Sequence, residues 1–341
     1  MQILQQQSEI SKVLYYVQRF GDLSPKLITA LSGIKEATKI IENLKEKYKM
    51  LPYPIERADK LNLKRYYVEV YFSKNIDLLK LYEAFNGITV AINRDMLNDK
   101  KYIIGIMYSK NADFIRGLEY LVDIGLIHYY ELYEEEEKQV YPIDYSTFDF
   151  EKGKFSEDFI KNPRQPFELP DLSDNFKPDE IDIKILGKKQ EQNDFTLKDI
   201  SSSLGIPFKE VLYHYQAHVV GRGLISAYHV FLGKFDFKMS LIYDSDEEVD
   251  NALSRIPTLI SISHLSDNTS KATLVAQSHM LYKILEFITR IQKDSKISFT
   301  IHPLFPPFEY SLTASIPYEH FNKKWEFNVE ELLMKEEEIL S

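Results

Sequence analysis

Asp179-Glu180-Ile181-Asp182-Ile183-Lys184-Ile185-Leu186, followed by Leu197-Lys198-Asp199-Ile200-Ser201-Ser202-Ser203-Leu204-Gly205-Ile206, is the stretch whose reading decides the fold. Ile181, Ile185 and Leu186 recur at helical spacing, so Ile181–Lys189 is predicted as a helix. Thr196 is an N-cap for a short helix over Leu197–Leu204, and Gly205 supplies the turn after it. Pro207 opens a third helix, expected to run to about Val219. Three helices in this order, the second short and the turn tight, form a helix-turn-helix unit.

Working outward, the same arrangement appears earlier in the chain. Ser8–Phe20 places Ile10, Val13, Leu14 and Val17 on one face. Ser24-Pro25 starts a second helix that ends near Gly33, and Ile34–Tyr48 carries Ile34, Ala37, Ile40, Ile41, Leu44 and Tyr48 on one stripe. The first unit is followed by a strand pattern at Tyr66–Phe72, a helix at Ile76–Phe85, strands at Ile88–Ile92 and Tyr102–Met107, a helix at Phe114–Val122 and a strand at Leu126–Leu132. The second is followed by Phe235–Tyr243, a helix at Glu247–Ile256, strands at Leu259–His264 and Ala272–Ala276, a helix at Leu281–Ile291 and a strand at Ile297–His302. Both read as the split βαβ order of ferredoxin-like folds. The expected class is α+β: two winged helix-turn-helix units, each followed by a ferredoxin-like βαββαβ module. A single chain of this kind is expected to resemble a dimer, with its two modules sheet to sheet.

The second unit resembles the Lrp/AsnC (feast/famine) transcription regulators. The resemblance rests on Asp179 to Leu186, on Leu197 to Ile206 and on the closing Gly223-Leu224-Ile225. His214 stands where that family usually has Arg, the interval from His214 to Gly223 is one residue longer, and the first unit lacks an Asp-x-x-Asp start. The resemblance implies a sequence-specific DNA-binding regulator, tandemly duplicated, that oligomerises through its sheets and takes a small-molecule effector in its α/β modules. Siroheme decarboxylases resemble the same arrangement as paired subunits, which makes a tetrapyrrole-decarboxylating enzyme the alternative. Neither module shows a dense Arg and His cluster suited to a tetrapyrrole with many carboxylates. A third alternative is an architectural protein whose winged helices bind partners, with Glu134–Glu137 and Glu336–Glu338 as docking surfaces.

The net charge of -10 is unevenly placed. Residues 1–130 carry 19 basic and 15 acidic side chains, 131–182 carry 6 and 16, and 183–341 carry 17 and 21. The acidic middle also holds Pro142, Pro163, Pro166, Pro170 and Pro178, which disfavour a long helix or central strand. The expected boundaries are 1–65 for the first helix-turn-helix unit, 66–137 for its module, 138–177 for an acidic linker, 178–232 and 233–326 for the second pair, and 327–341 for a C-terminal amphipathic helix. Phe148, Phe150, Phe155, Phe159 and Phe167 imply a linker packed on a surface. The chain has no Cys, which excludes disulfides, thiolate metal sites and a Cys nucleophile. No apolar run is long enough to span a membrane, and Met1–Ile10 does not read as a secretory signal, so a cytoplasmic protein is expected.

Double-stranded DNA is the expected partner. Lys35, Thr38, Lys39 and Asn43 share the outer face of the first reading helix, and Arg57, Lys60, Lys64 and Arg65 extend it as a basic wing. Residues 35–65 hold 9 basic and 5 acidic side chains. Lys209, Tyr213, His214 and Gln216 are the outward set on the second helix, with Arg222 in the turn after it. Arg and Lys suit guanine or phosphate, and Asn and Gln suit adenine. Of eight His, seven lie at 214 or later. His264, His279 and His302, on or just after strands, are candidates to line a ligand pocket. His214 and His218 share one helix face, but no carboxylate stands beside them in sequence as a third ligand, so no metal is expected. No cofactor or catalytic residue is assigned. The chain lacks G-x-x-x-x-G-K-[ST], G-x-G-x-x-G and G-x-S-x-G motifs.

Overall fold

The computed structural model describes residues 2–156, 162–168, 176–304 and 311–340. Their elements are α1 (Gln2–Phe20), α2 (Pro25–Ser32), α3 (Ala37–Tyr48), β1 (Leu51–Glu56), β2 (Lys64–Phe72), α4 (Leu78–Ala84), β3 (Thr89–Arg94), β4 (Lys101–Tyr108), α5 (Ile115–Asp123) and β5 (Ile127–Val140). After the short β6 (Phe148–Asp149) and β7 (Lys154–Phe155) come α6 (Glu180–Glu191), α7 (Leu197–Leu204) and α8 (Phe208–His214), which runs into a π-helical segment, Tyr215–Val220. Then follow β8 (Ile225–Phe231), β9 (Phe237–Asp244), α9 (Glu247–Leu253), β10 (Leu259–Leu265), β11 (Thr269–Ala276), α10 (Leu281–Ser295), β12 (Thr300–Leu304), β13 (Ser311–Thr313), β14 (Phe321–Asn322), β15 (Lys324–Trp325) and α11 (Val329–Leu340).

The local signals act as expected. Thr196 accepts from the Asp199 amide while Asp199 reaches back to Thr196, and Gly205 adopts the left-handed conformation that ends α7. Asp179 and Asp182 form the equivalent box at the start of α6. Gly33 closes α2 in the same left-handed way.

The nine-stranded antiparallel sheet runs β12-β9-β11-β10-β5-β2-β4-β3-β13. Within it β5-β2-β4-β3 and β12-β9-β11-β10 are the same ferredoxin-like order, once per module. β5 pairs with β2 through Ile127–Glu134 and then with β10 through Glu135–Val140. β12 pairs with β9 of its own module, while β13 pairs with β3 of the other. Asp95 and Leu304 form a further antiparallel bridge between the modules. Each module therefore lends its last strand to the second strand of its partner, as two subunits of a symmetric dimer would. The helix-turn-helix units are joined likewise: β1 pairs with β8 across Leu51↔Phe231 to Glu56↔Ile225.

Two differences from the sequence reading follow from this pairing. The strand β5 holds the whole acidic run Glu134–Glu137 and continues to Val140, past the expected module boundary at 137. It is longer than apolar alternation suggested because its second half faces polar neighbours. The described residues of the Pro-containing segment beyond β5, 141–156 and 162–168, are held against the second module through Arg164. Arg164 donates to the backbone carbonyls of Ser254 at 2.8 Å and Leu259 at 3.2 Å, and also to those of Pro142 and Ile256. Phe148, Phe150, Phe155 and Phe167 are buried; Phe159 lies outside the described residues.

One apolar core lies under the first module, where Val68, Val70, Phe72, Ile104 and Ile106 meet α4, α5 and α11. A second runs from both helix-turn-helix units into the second module, through Leu14, Ile41, Ile185, Val211, Leu241, Ile262 and Ile288. In each module the apolar residues occupy the helix-covered face of the sheet.

Candidate functional site

Strand alternation sends every second residue to the opposite face. In β2 the residues that alternate with the apolar core are Arg65, Tyr67, Glu69 and Tyr71. In the second module the corresponding rows are Ser240 in β9, Ser261 and Ser263 in β10, Lys271 and Thr273 in β11, and His302 in β12. All six are buried. These two polar faces meet. Lys271 Nζ lies 4.1 Å from the centre of the Tyr67 ring, Ser263 donates to Glu135 at 2.6 Å, Lys238 donates to Asn93 at 3.3 Å, and His302 Nε2 stands 3.2 Å from Glu69. The interior between the sheets, here the chamber, is polar and bridged by these contacts, in the place where a sandwich normally carries an apolar core.

One end of the chamber is cationic. Arg65 (β2), Lys138 (β5), His229 (β8), Lys238 (β9) and Lys271 (β11) face one another there. Burial, and then repulsion by Arg65, brings the Lys138 ammonium down to about 8. Burial and repulsion by Lys138 bring Lys238 to about 8. Burial followed by Lys238 and Lys138 brings Lys271 to about 7, despite the nearby Glu135. His229, desolvated and facing Lys138, Lys238 and Arg65, falls to about 3 and is a neutral imidazole at neutral pH. Arg65 pairs with Glu56 and lies 3.7 Å from Glu135. Tyr67 donates to Glu135 at 2.9 Å. Glu56 is itself held by Gln190 at 2.7 Å.

A second cluster lies toward the other end. His302 sits between Asp95 and Glu69, each at 3.2 Å, and Lys101 reaches Glu69 at 2.7 Å. Burial alone would depress the imidazole, but Asp95 and Glu69 outweigh it and hold His302 above its ordinary value. Buried polar groups without full compensation cost about 1–3 kcal/mol each. Keeping lysines partly desolvated and facing one another costs the fold stability.

The expected ligand histidines do not converge. His302 lies in the chamber. His264 is on the opposite face of β10, against Ser270 at 3.0 Å and Asp250 at 3.6 Å, and His279 bonds the Phe155 carbonyl. Of the expected DNA-reading residues, Lys35, Thr38, Lys39, Asn43, Lys209, Tyr213 and Gln216 are exposed. Arg57 pairs with Asp59 at 2.8 Å and Lys64 with Glu134 at 2.5 Å, while Lys60 is half-buried beside them. Arg222 lies over the Phe176 ring. Two expectations are corrected. Arg65 points into the chamber, because β2 begins at Lys64 and alternation turns Arg65 inward. His214 is buried against Asp182 at 2.9 Å and does not face outward.

Five basic side chains that the sequence did not place together meet between the sheets. The cluster was missed because Arg65, Lys138, His229, Lys238 and Lys271 come from five strands spread over more than half the chain. The available signal was the polar residues Lys238 and Ser240, Ser261 and Ser263, Lys271 and Thr273, and His302 alternating with apolar ones in β9 to β12, where an antiparallel sandwich should be apolar.

No family model and no curated protein sequence matches the chain. Among solved structures, the chain is similar to the siroheme decarboxylase NirDL, at 12% identity and TM-score 0.52, over 97% of this chain and 98% of that one. It is similar also to NirDL in co-complex with an iron-uroporphyrin III analogue, at 13% identity and TM-score 0.51, over 97% and 98% of the two chains. This likeness corrects the expectation of a DNA-binding regulator that is not an enzyme: the match over nearly the whole chain is to a decarboxylase. No helix of the described residues is long and apolar enough to cross a membrane. The chain shares its α+β fold with the NirDL structure: two winged helix-turn-helix units, each followed by a ferredoxin-like module, with the two halves paired as the subunits of a dimer would be.

Proposed function

We propose that the chain is a decarboxylase acting on a tetrapyrrole with several carboxylate arms, of the siroheme type, bound between the two sheets. The observation that carries this reading is the cationic end of the chamber: Arg65, Lys138, Lys238 and Lys271, with neutral His229 beside them. Several cations converging at one end match a ligand that carries several anions, and burial strengthens each pairing. Tyr53, Tyr67 and His229 add flat surfaces of the kind a macrocycle packs against.

The chemistry follows from the same residues. Loss of CO2 from an acetate arm breaks the C–C bond and leaves its electron pair on carbon, which takes up one proton, so that R–CH2–COO⁻ and H⁺ become R–CH3 and CO2. The proton donor must be an acid near neutrality inside a dry site. Lys271 at about 7 is suited to that role, and Lys138 and Lys238 at about 8 to holding the arms that are retained. Incubation of the protein with siroheme under anaerobic conditions, followed by mass spectrometry, tests this reading. Products lighter by one or more CO2, reduced at least about tenfold by Lys271→Met, support it. Recovery of unchanged siroheme across conditions in which the protein stays folded overturns it.

A further inference from the structure

Far from the chamber, four side chains of the second helix-turn-helix unit converge. Asp179 and Asp182 come from the start of α6, and His214 and His218 from α8 and the π-helical segment beyond it. Their ligand atoms all lie within 4.8 Å of one another. His214 Nδ1 is 2.9 Å from Asp182 Oδ1 and 3.5 Å from Asp179 Oδ1. His218 Nδ1 is 3.0 Å from Asp182 Oδ1 and 3.2 Å from Oδ2. Asp182 is fully buried, and His214 nearly so.

We propose that Asp179, Asp182, His214 and His218 form a binding site for a zinc-class divalent cation that clamps α6 to α8. Four ligands about 2.1 Å from a tetrahedral ion stand roughly 3.4 Å apart, close to the separations seen here. Imidazole nitrogen with carboxylate oxygen is a donor set for zinc and its neighbours. Charge points the same way. Asp182 is desolvated, its neighbour Asp179 adds a second negative charge, and the groups turned toward it are two imidazoles. A dication would balance both carboxylates. The backbone contributes as well: spaced i and i+4 where α8 passes into the π-helical segment, His214 and His218 lie side by side, with ring centres 4.9 Å apart and both Nδ1 atoms turned to Asp182. π-helical turns occur often at functional sites. The capping box leaves the carboxylates ordered, since Asp179 Oδ1 accepts the Ile181 and Asp182 amides and Asp182 Oδ2 accepts the Asp179 amide.

The test uses the full chain and the metal alone. Protein stripped with chelator is loaded with Zn²⁺, passed through gel filtration and assayed for bound metal. In parallel it is titrated with Co²⁺ and read by visible absorption. The proposal expects about one zinc per chain, the visible bands of a tetrahedral Co²⁺ complex, and affinity at least about tenfold weaker in His218→Ala and in Asp179→Asn. Asp179 is half-exposed, so Asp179→Asn keeps the test decisive if a histidine variant misfolds. Wild-type protein that retains no zinc and gives no Co²⁺ bands overturns the proposal, as does equal retention by wild type and both variants. Neither result bears on the chamber, whose ligand is tested separately.

Discussion

At the residue scale, Lys271 and Glu336 carry the sharpest consequences. Lys271 is brought from an ordinary 10.5 to about 7 by burial and its lysine neighbours. The folded state therefore binds fewer protons than the unfolded chain between pH 7 and 10, and stability rises with pH across that window. Lys271→Met is expected to raise stability most at pH 7 and below and to flatten the rise, as measured by denaturant melts at pH 6, 8 and 10. Glu336 presents the opposite sign. Its carboxyl is fully buried on α11 with neither oxygen bonded, and burial pushes it up to about 8. An acid with a raised folded value contributes full stability below its unfolded value of 4.5 and loses it as pH climbs toward 8. The loss amounts to about 3 kcal/mol at pH 7. Glu336→Met should recover about 3 kcal/mol at pH 7, about 4 at pH 8 and little at pH 4, read from denaturant melts at those three pH values.

At the scale of elements, α11 shows how closely the first module is packed. Gly117 on α5 faces Glu336, and a Cβ there would stand 2.6 Å from its carboxylate oxygen. Gly117→Ala should push α11 outward and cost about 1–3 kcal/mol, seen as a lower denaturant midpoint. Trp325, whose indole donates to the Leu61 carbonyl at 2.6 Å, gives a single-tryptophan fluorescence signal for that melt. Helices were the most legible part of the sequence. Ser24-Pro25, Thr196 and the αL glycines Gly33 and Gly205 are local signals, and α2 and α7 lie where those signals place them. Strands were legible where one face is apolar, as in β2 and β4. β5 was half hidden, because Glu134–Glu137 pairs with polar neighbours and carries no apolar alternation. The wing strands β1 and β8 were hidden for another reason: each finds its partner about 170 residues away, in the other unit.

For the whole molecule, duplication explains both the fold and the site. Two βαββαβ modules exchange their last strands, which brings two polar sheet faces together and leaves a chamber no single module could make. The repeat was legible; what it encloses was not. A lone lysine at 138, 238 or 271 reads as surface, and only the register Lys138↔Ser263↔Lys271 sets two of them on one row, on the strands either side of β10. The charge excess in residues 131–182 likewise conceals that Lys138 and Arg164 from this stretch are turned inward. The central claim is that this chamber holds a polycarboxylate tetrapyrrole. Titration of the protein with iron-uroporphyrin III, followed by its absorption band, tests it most directly. The account predicts one saturable site per chain, weakened at least about tenfold in Lys238→Ala/Lys271→Ala and unchanged in Lys209→Ala on the outer face of α8. Absence of saturable binding, or equal affinity in all three proteins, would contradict it.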